Sequence, residues 1–213
     1  MSKVIYIDVE TTGLDCNMHG IRELAFIVEI DGFVVDKGLL KINPFTYTKE
    51  IKADAKALEI SGKTLDEIIS SEYEKSFCQF LDFTRMLDKY VDSSNKEDKF
   101  TINGYNTSFD IAFLKAWFND NGMNKFFSSY FSYKELDVFA LVKQFKHLGL
   151  IDTKNDKLKT VCEYFNIPLD AHNALDDIVA TKELSEKLIS MFVIKNIKQD
   201  RLACKECKYC DKL

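Results

Sequence analysis

Lys3-Val4-Ile5-Tyr6-Ile7-Asp8-Val9-Glu10-Thr11-Thr12-Gly13-Leu14 opens as a β-branched, apolar run and closes on two acids and a glycine turn. Residues 3–9 are too few for a stable helix and have the composition of a buried strand. Residues two apart on a strand share a face, so Asp8 and Glu10 present both carboxylates on one side near the strand's end. Carboxylates held that close repel, and a hard divalent cation with oxygen ligands is the usual neutraliser. The competing reading is an ordinary acidic strand end in which one of the pair caps the Thr11-Thr12-Gly13 turn.

Working outward, residues 24–30 and 33–42 are two further β-rich runs, separated by Asp31-Gly32, a favoured pair for a tight hairpin turn. Past Pro44 the pattern turns helical. Short helices are expected over residues 51–60 and from about Thr64, with a break at Ser61-Gly62. A helical stripe of Phe77, Phe80, Leu81, Leu87 and Val91 follows within residues 73–91. Residues 92–99 read as a loop, 100–103 as a brief strand and 107–118 as a helix with Ile111, Leu114 and Phe118 on one side. Helices are expected at 136–148 and 158–165, the second placing Cys162 in the core, and a last long helix over 173–191. Three strands first and helices after predict an α/β fold, a mixed sheet covered by helices. The boundaries are one domain over residues 1–192 and a Lys- and Cys-rich tail over 193–213.

The 213 residues and 46% hydrophobic content suit one substantial domain. No apolar run is long enough to span a bilayer and the start lacks signal-peptide features, so a soluble cytoplasmic protein is expected. A net charge of -5 argues against an electrostatic clamp on long duplex. It leaves room for an enzyme gripping only a strand end, because a carboxylate cluster awaiting cations is more negative without them. Cys16, Cys78 and Cys162 are scattered, and Cys204, Cys207 and Cys210 are clustered, which is not a disulfide framework.

Two more acidic positions stand out. Asp110 lies at the third position of a helix that Thr107 would cap, and a plain capping box accounts for it without function. A strand ending at Asn103 and feeding that helix would, however, set Asp110 beside the end of the first strand, the edge where open α/β sheets bind ligands. His172 precedes Asn173-Ala174-Leu175-Asp176-Asp177, where Asn173 can cap the last helix. A histidine ahead of a helix is mostly solvated, yet His172 is the one histidine of three set beside carboxylates in this way.

Together these segments resemble the DEDD exonuclease superfamily in its histidine-containing branch, the DEDDh or DnaQ-like 3′-5′ exonucleases, which includes the proofreading subunit of bacterial DNA polymerase III. The matching motifs are Ile7-Asp8-Val9-Glu10-Thr11-Thr12-Gly13-Leu14, Gly104-Tyr105-Asn106-Thr107-Ser108-Phe109-Asp110 and His172-Asn173-Ala174-Leu175-Asp176-Asp177. They occur in the family's order across residues 3–190, with Tyr105 standing where relatives commonly carry histidine. The resemblance implies a ribonuclease H-like fold: a five-stranded mixed sheet, helices on both faces, and the second strand antiparallel to the rest.

It also implies roles. Asp8, Glu10, Asp110 and Asp177 would hold two Mg²⁺ or Mn²⁺ ions, with His172 as general base; Asp177 is preferred to Asp176 because the family places its acid five residues after the histidine. Thr11, Thr12, Leu14, Asn106 and Phe109 would contact the terminal nucleotide, although Thr12 and Leu14 read equally well as turn and core residues. The implied activity is two-metal hydrolysis of phosphodiester bonds from the 3′ end of single-stranded nucleic acid, DNA first and RNA as the alternative, releasing nucleoside 5′-monophosphates. A DNA polymerase is the implied partner. The rival classes are a non-catalytic strand-binding or polymerase-associated module, against which all five catalytic positions are filled, and a phosphatase, which Glu10 and the Thr-Thr-Gly turn fit poorly. Zn²⁺ at Cys204, Cys207 and Cys210 would need a fourth donor, so an unliganded tail is the leading reading there.

Overall fold

A computed structural model describes residues 2–169 and 173–205, with side chains through residue 193. The chain folds around one sheet. Strand β1 (Lys3–Thr11) pairs antiparallel with β2 (Ile21–Ile30), which pairs antiparallel with β3 (Phe33–Asn43). The β2–β3 turn is the expected Asp31-Gly32, both in the left-handed region with φ of 51° and 86°, the geometry that matches strand twist in a two-residue hairpin. On the other side of β1 lie β5 (Phe100–Gly104) and β6 (Phe131–Asp137), both parallel to it, and a two-residue strand β4 (Glu74–Lys75) extends the far edge beside β3. The order is β4-β3-β2-β1-β5-β6. The five principal strands are the expected mixed sheet with β2 antiparallel to the rest, and the short β4 makes a sixth.

Alternation along β1 divides its side chains between two layers. Ile5, Ile7 and Val9 enter the larger core, with α3 (Ser76–Asp88) and α4 (Thr107–Asp120) over them. That core is aromatic: Trp117 and Phe118 meet Phe80 edge to face at ring separations of 5.2 and 5.0 Å, an arrangement the ring quadrupoles favour. Tyr6 points to the opposite face, where Ala25 and Ile27 join Ala174 and Ile178 of α8 (Ala174–Lys205). Helices α6 (Val138–His147) and α7 (Leu158–Tyr164) pack on α8 through Val142, Phe145, Val161, Leu184 and Leu188, with Cys162 fully buried among them.

Several elements depart from the sequence reading. The helix expected over 51–60 is α1 (Ala55–Ser61), ended by Gly62 at φ 63°, and α2 (Leu65–Ile68) opens with a capping box between Thr64 and Glu67. Residues 131–137, not anticipated as a strand, form β6, so the helix expected from Leu136 starts at Val138 instead. A short α5 (Phe127–Tyr130) precedes β6. Helix α8 runs on to Lys205, past the expected end at Met191. The side chain of Cys204 and the residues Cys207 and Cys210 lie outside the described part, as does His172. Among the described residues no helix is long and apolar enough to cross a membrane.

Candidate active site

The site grows from the end of β1. Pairing between β1 and β5 runs from Val4 to Tyr6 and stops there, leaving the β5-facing edge of β1 open beyond it. Asp110, in the first turn of α4, fills the gap: its Oδ1 accepts the Val9 N–H at 3.0 Å. Gly104 permits this approach, because a Cβ at that position would sit 2.8 Å from the carbonyl oxygen of Ile7. The expected capping box is therefore replaced by a tertiary bond. Asn106 is the N-cap, in a left-handed conformation with φ 67°, and the Thr107 hydroxyl donates to the Leu136 carbonyl at 2.8 Å.

From the same end of β1, Asp8 and Glu10 share the Tyr6 face, the one covered by α8. The seating of Ala174 and Ile178 on the sheet brings the first turn of α8 over them. One carboxylate oxygen each of Asp8, Glu10 and Asp177 lies within 4.8 Å of the others, while Asp176 is exposed. Asn173 caps α8 by accepting the Leu175 N–H at 3.0 Å.

Crowding leaves an electrostatic mark. Asp8 is held well above the usual carboxylate range by burial first and then by the charges of Asp110, Glu10, Asp177 and Glu23. Burial likewise pushes Asp110 up to about 8, opposed by the Val9 N–H bond and reinforced by Asp137 and Glu10. An oxygen-only cluster that resists ionising without help suits a hard divalent cation.

A cavity of about 390 Å³ adjoins the cluster, lined by Asp8, Asp177, Tyr105, Lys157, Leu158, Lys159 and Leu169. Tyr105, the departure from the family pattern, forms part of its wall, donating its hydroxyl to the Asp156 carbonyl and packing on Phe139 at 5.5 Å.

The other sequence candidates fall as follows. Leu14 is 82% exposed, and Asn106 is exposed with its N–H bonded to Asp137 at 3.0 Å. Phe109 is half-buried against Phe113. Thr11 donates its hydroxyl to Gly13, and Thr12 is fully buried with its hydroxyl donating to Lys52 and accepting from the Gly20 N–H, which is the turn role. Sequence reasoning overlooked Arg22, which pairs with Glu10, and Glu23, which pairs with Arg22, because a charged pair inside an apolar strand carries no motif.

Residues 5–185 match the exonuclease family RNase_T. The chain belongs to that family. Curated relatives of this exonuclease-family chain include DNA polymerase III of the PolC type from Bacillus cereus, 25% identical over 193 residues, and from Listeria monocytogenes, 28% identical over 183 residues. The matches cover 90% and 85% of this chain but 12% and 11% of those polymerases, so it spans about an eighth of their length. Among solved structures, E. coli exonuclease I in complex with a dT13 oligonucleotide superposes with a TM-score of 0.69 at 17% identity, covering 89% of this chain and 41% of that one. Its zinc-bound single-stranded DNA complex gives 0.71 at 18% identity, covering 88% and 40%. These likenesses establish the ribonuclease H-like fold.

Proposed function

We propose that this chain is a divalent-metal-dependent 3′-to-5′ exonuclease that removes nucleotides from the free 3′ end of single-stranded nucleic acid, DNA in the first place, as nucleoside 5′-monophosphates. The observation that carries the reading is the meeting of Asp8, Glu10 and Asp177 within 4.8 Å, next to an Asp110 fastened to the same strand end. Four carboxylates from three distant segments fit Mg²⁺ or Mn²⁺, which take oxygen donors. When bound, two such ions would supply an activated water and stabilise charge on the leaving 3′ oxygen.

The protein's own groups do the rest. Asp8, Glu10, Asp110 and Asp177 hold the ions, and His172 accepts the proton of the attacking water as a neutral imidazole. Lys157 and Lys159, which line the adjoining cavity, would supply positive charge toward the phosphates of the strand. Exposed Leu14 packs on the terminal base, with Thr11 near the sugar and Asn106 and Phe109 beside the strand; Thr12 shapes the turn that presents them. The curated relatives, named as DNA polymerase III of the PolC type, support DNA over RNA and a DNA polymerase as partner.

The test uses 5′-labelled single-stranded DNA and a matched RNA, with Mg²⁺ or Mn²⁺ in turn. Wild type is expected to shorten the DNA one nucleotide at a time and to stop when the metal is chelated. Asp8→Ala should be inactive, and His172→Ala slower by about 10²- to 10⁴-fold. Equal degradation by wild type and Asp8→Ala would assign the activity to a contaminant and remove this reading.

A further inference from the structure

At the end of β1 the β1–β2 ladder carries a bulge. Glu10 pairs with Glu23, and the next residue, Thr11, pairs with Ile21, so Arg22 is the extra residue. A bulge sets two residues of one strand against one of its partner and re-aims a side chain. Here it sets Arg22 and Glu23 together against Glu10. Arg22 is 1% exposed; its Nη2 donates to Glu10 Oε2 at 3.0 Å, and its Nη1 lies 3.2 Å from Glu23 Oε1. Glu23 is braced in turn by the Tyr73 hydroxyl, which donates to Oε1 at 2.8 Å. Nε and Nη1 make no hydrogen bond among the described residues, so the Nη1 contact is an ion pair alone.

Such an arrangement is a poor way to stabilise a sheet. Desolvating a guanidinium and two carboxylates offsets much of their attraction, and apolar residues of similar volume stabilise as well or better. The fold alone does not account for an arginine at this position. What distinguishes it is the group it grips, since Glu10 is one of the three carboxylates whose oxygens converge.

We infer that Arg22 is a positioning residue: held on the bulge and braced through Glu23 and Tyr73, it fixes the Glu10 carboxylate in the orientation that completes the divalent-cation site. The inference rests on the metal-dependent reading above. Two effects oppose each other. The guanidinium repels an incoming cation, but without it Glu10 and Glu23, directly opposite across the ladder, repel each other and Glu10 loses its fixed rotamer. Orientation wins, because groups that orient metal-binding side chains are typically worth 10- to 100-fold in affinity or activity.

The experiment measures Mn²⁺ binding by electron paramagnetic resonance without nucleic acid, together with thermal melting in chelator. Arg22→Met keeps length and bulk but removes every donor. It is expected to bind Mn²⁺ about 10- to 100-fold more weakly than wild type, while still melting cooperatively in chelator, at a temperature below wild type because Glu10 and Glu23 are left without their counter-charge. Unchanged or tighter Mn²⁺ binding by the folded variant overturns the inference. If Arg22→Met does not fold, Arg22→Lys, which keeps the charge and loses the planar fork, is judged by the same criterion. A wild type that binds no Mn²⁺ would instead overturn the metal reading of the site, and this inference with it.

Discussion

Asp110 shows how one residue's surroundings change its meaning. From the sequence it reads as half of a capping box; in the fold its carboxylate takes the backbone N–H of Val9, 101 residues away. That bond became available because β5 stops pairing with β1 at Tyr6, a fact of topology that helical spacing does not encode. The raised proton affinity of Asp110 has a consequence for stability. Between the ordinary carboxylate range and about pH 8 the folded protein keeps a proton that the unfolded chain has released, so stability without metal falls as pH rises across that window. Asp110→Asn removes that loss. In chelator at pH 8 the variant is expected to melt above wild type, by about 2–4 °C for each kcal/mol recovered, and the gap should close toward pH 5. A variant melting below wild type at pH 8 would mean that the ionised carboxylate is itself stabilising.

Among the elements, those with strong local signals were legible in advance. β1, the Asp31-Gly32 hairpin and the existence of α3 follow from β-branched runs, turn chemistry and helical spacing; of the stripe expected on α3, Phe80 and Leu87 are buried, while Phe77 is 57% exposed and Val91 lies past the helix end. β6 was not legible. Its Phe131-Ser132-Tyr133-Lys134-Glu135-Leu136-Asp137 is mostly exposed and carries three charges, as suits the edge of a sheet, where lysine discourages further pairing. The bulge at Arg22 was equally hidden, since register belongs to a pair of strands rather than to either one. The most exacting junction is the turn from β5 into α4. Gly104→Ala would place its Cβ against the Ile7 carbonyl oxygen and force β1 and the turn apart. A destabilisation of roughly 1–3 kcal/mol is expected from the overpacking. Exonuclease activity should fall further than the lost folded fraction explains, because Asp110 rides on α4. Calorimetry paired with single-turnover rates checks this; activity in proportion to the folded fraction would show that the turn is not what places Asp110.

At the scale of the whole molecule, two helix layers fasten the site to one strand end. The aromatic core under α3 and α4 delivers Asp110, and the smaller contact of Ala174 and Ile178 with the sheet delivers Asp177. Order in the sequence made the four acids recognisable as a set, while their meeting depends on α4 and α8 packing on opposite faces of β1. Cation binding depends on that meeting. Manganese anomalous scattering from a crystal grown with Mn²⁺ tests it most directly. The result predicted is manganese density enclosed by Asp8, Glu10, Asp110 and Asp177, absent in Asp8→Ala; ordered carboxylates at wild-type positions with no manganese among them, at a concentration that supports strand degradation, would contradict it.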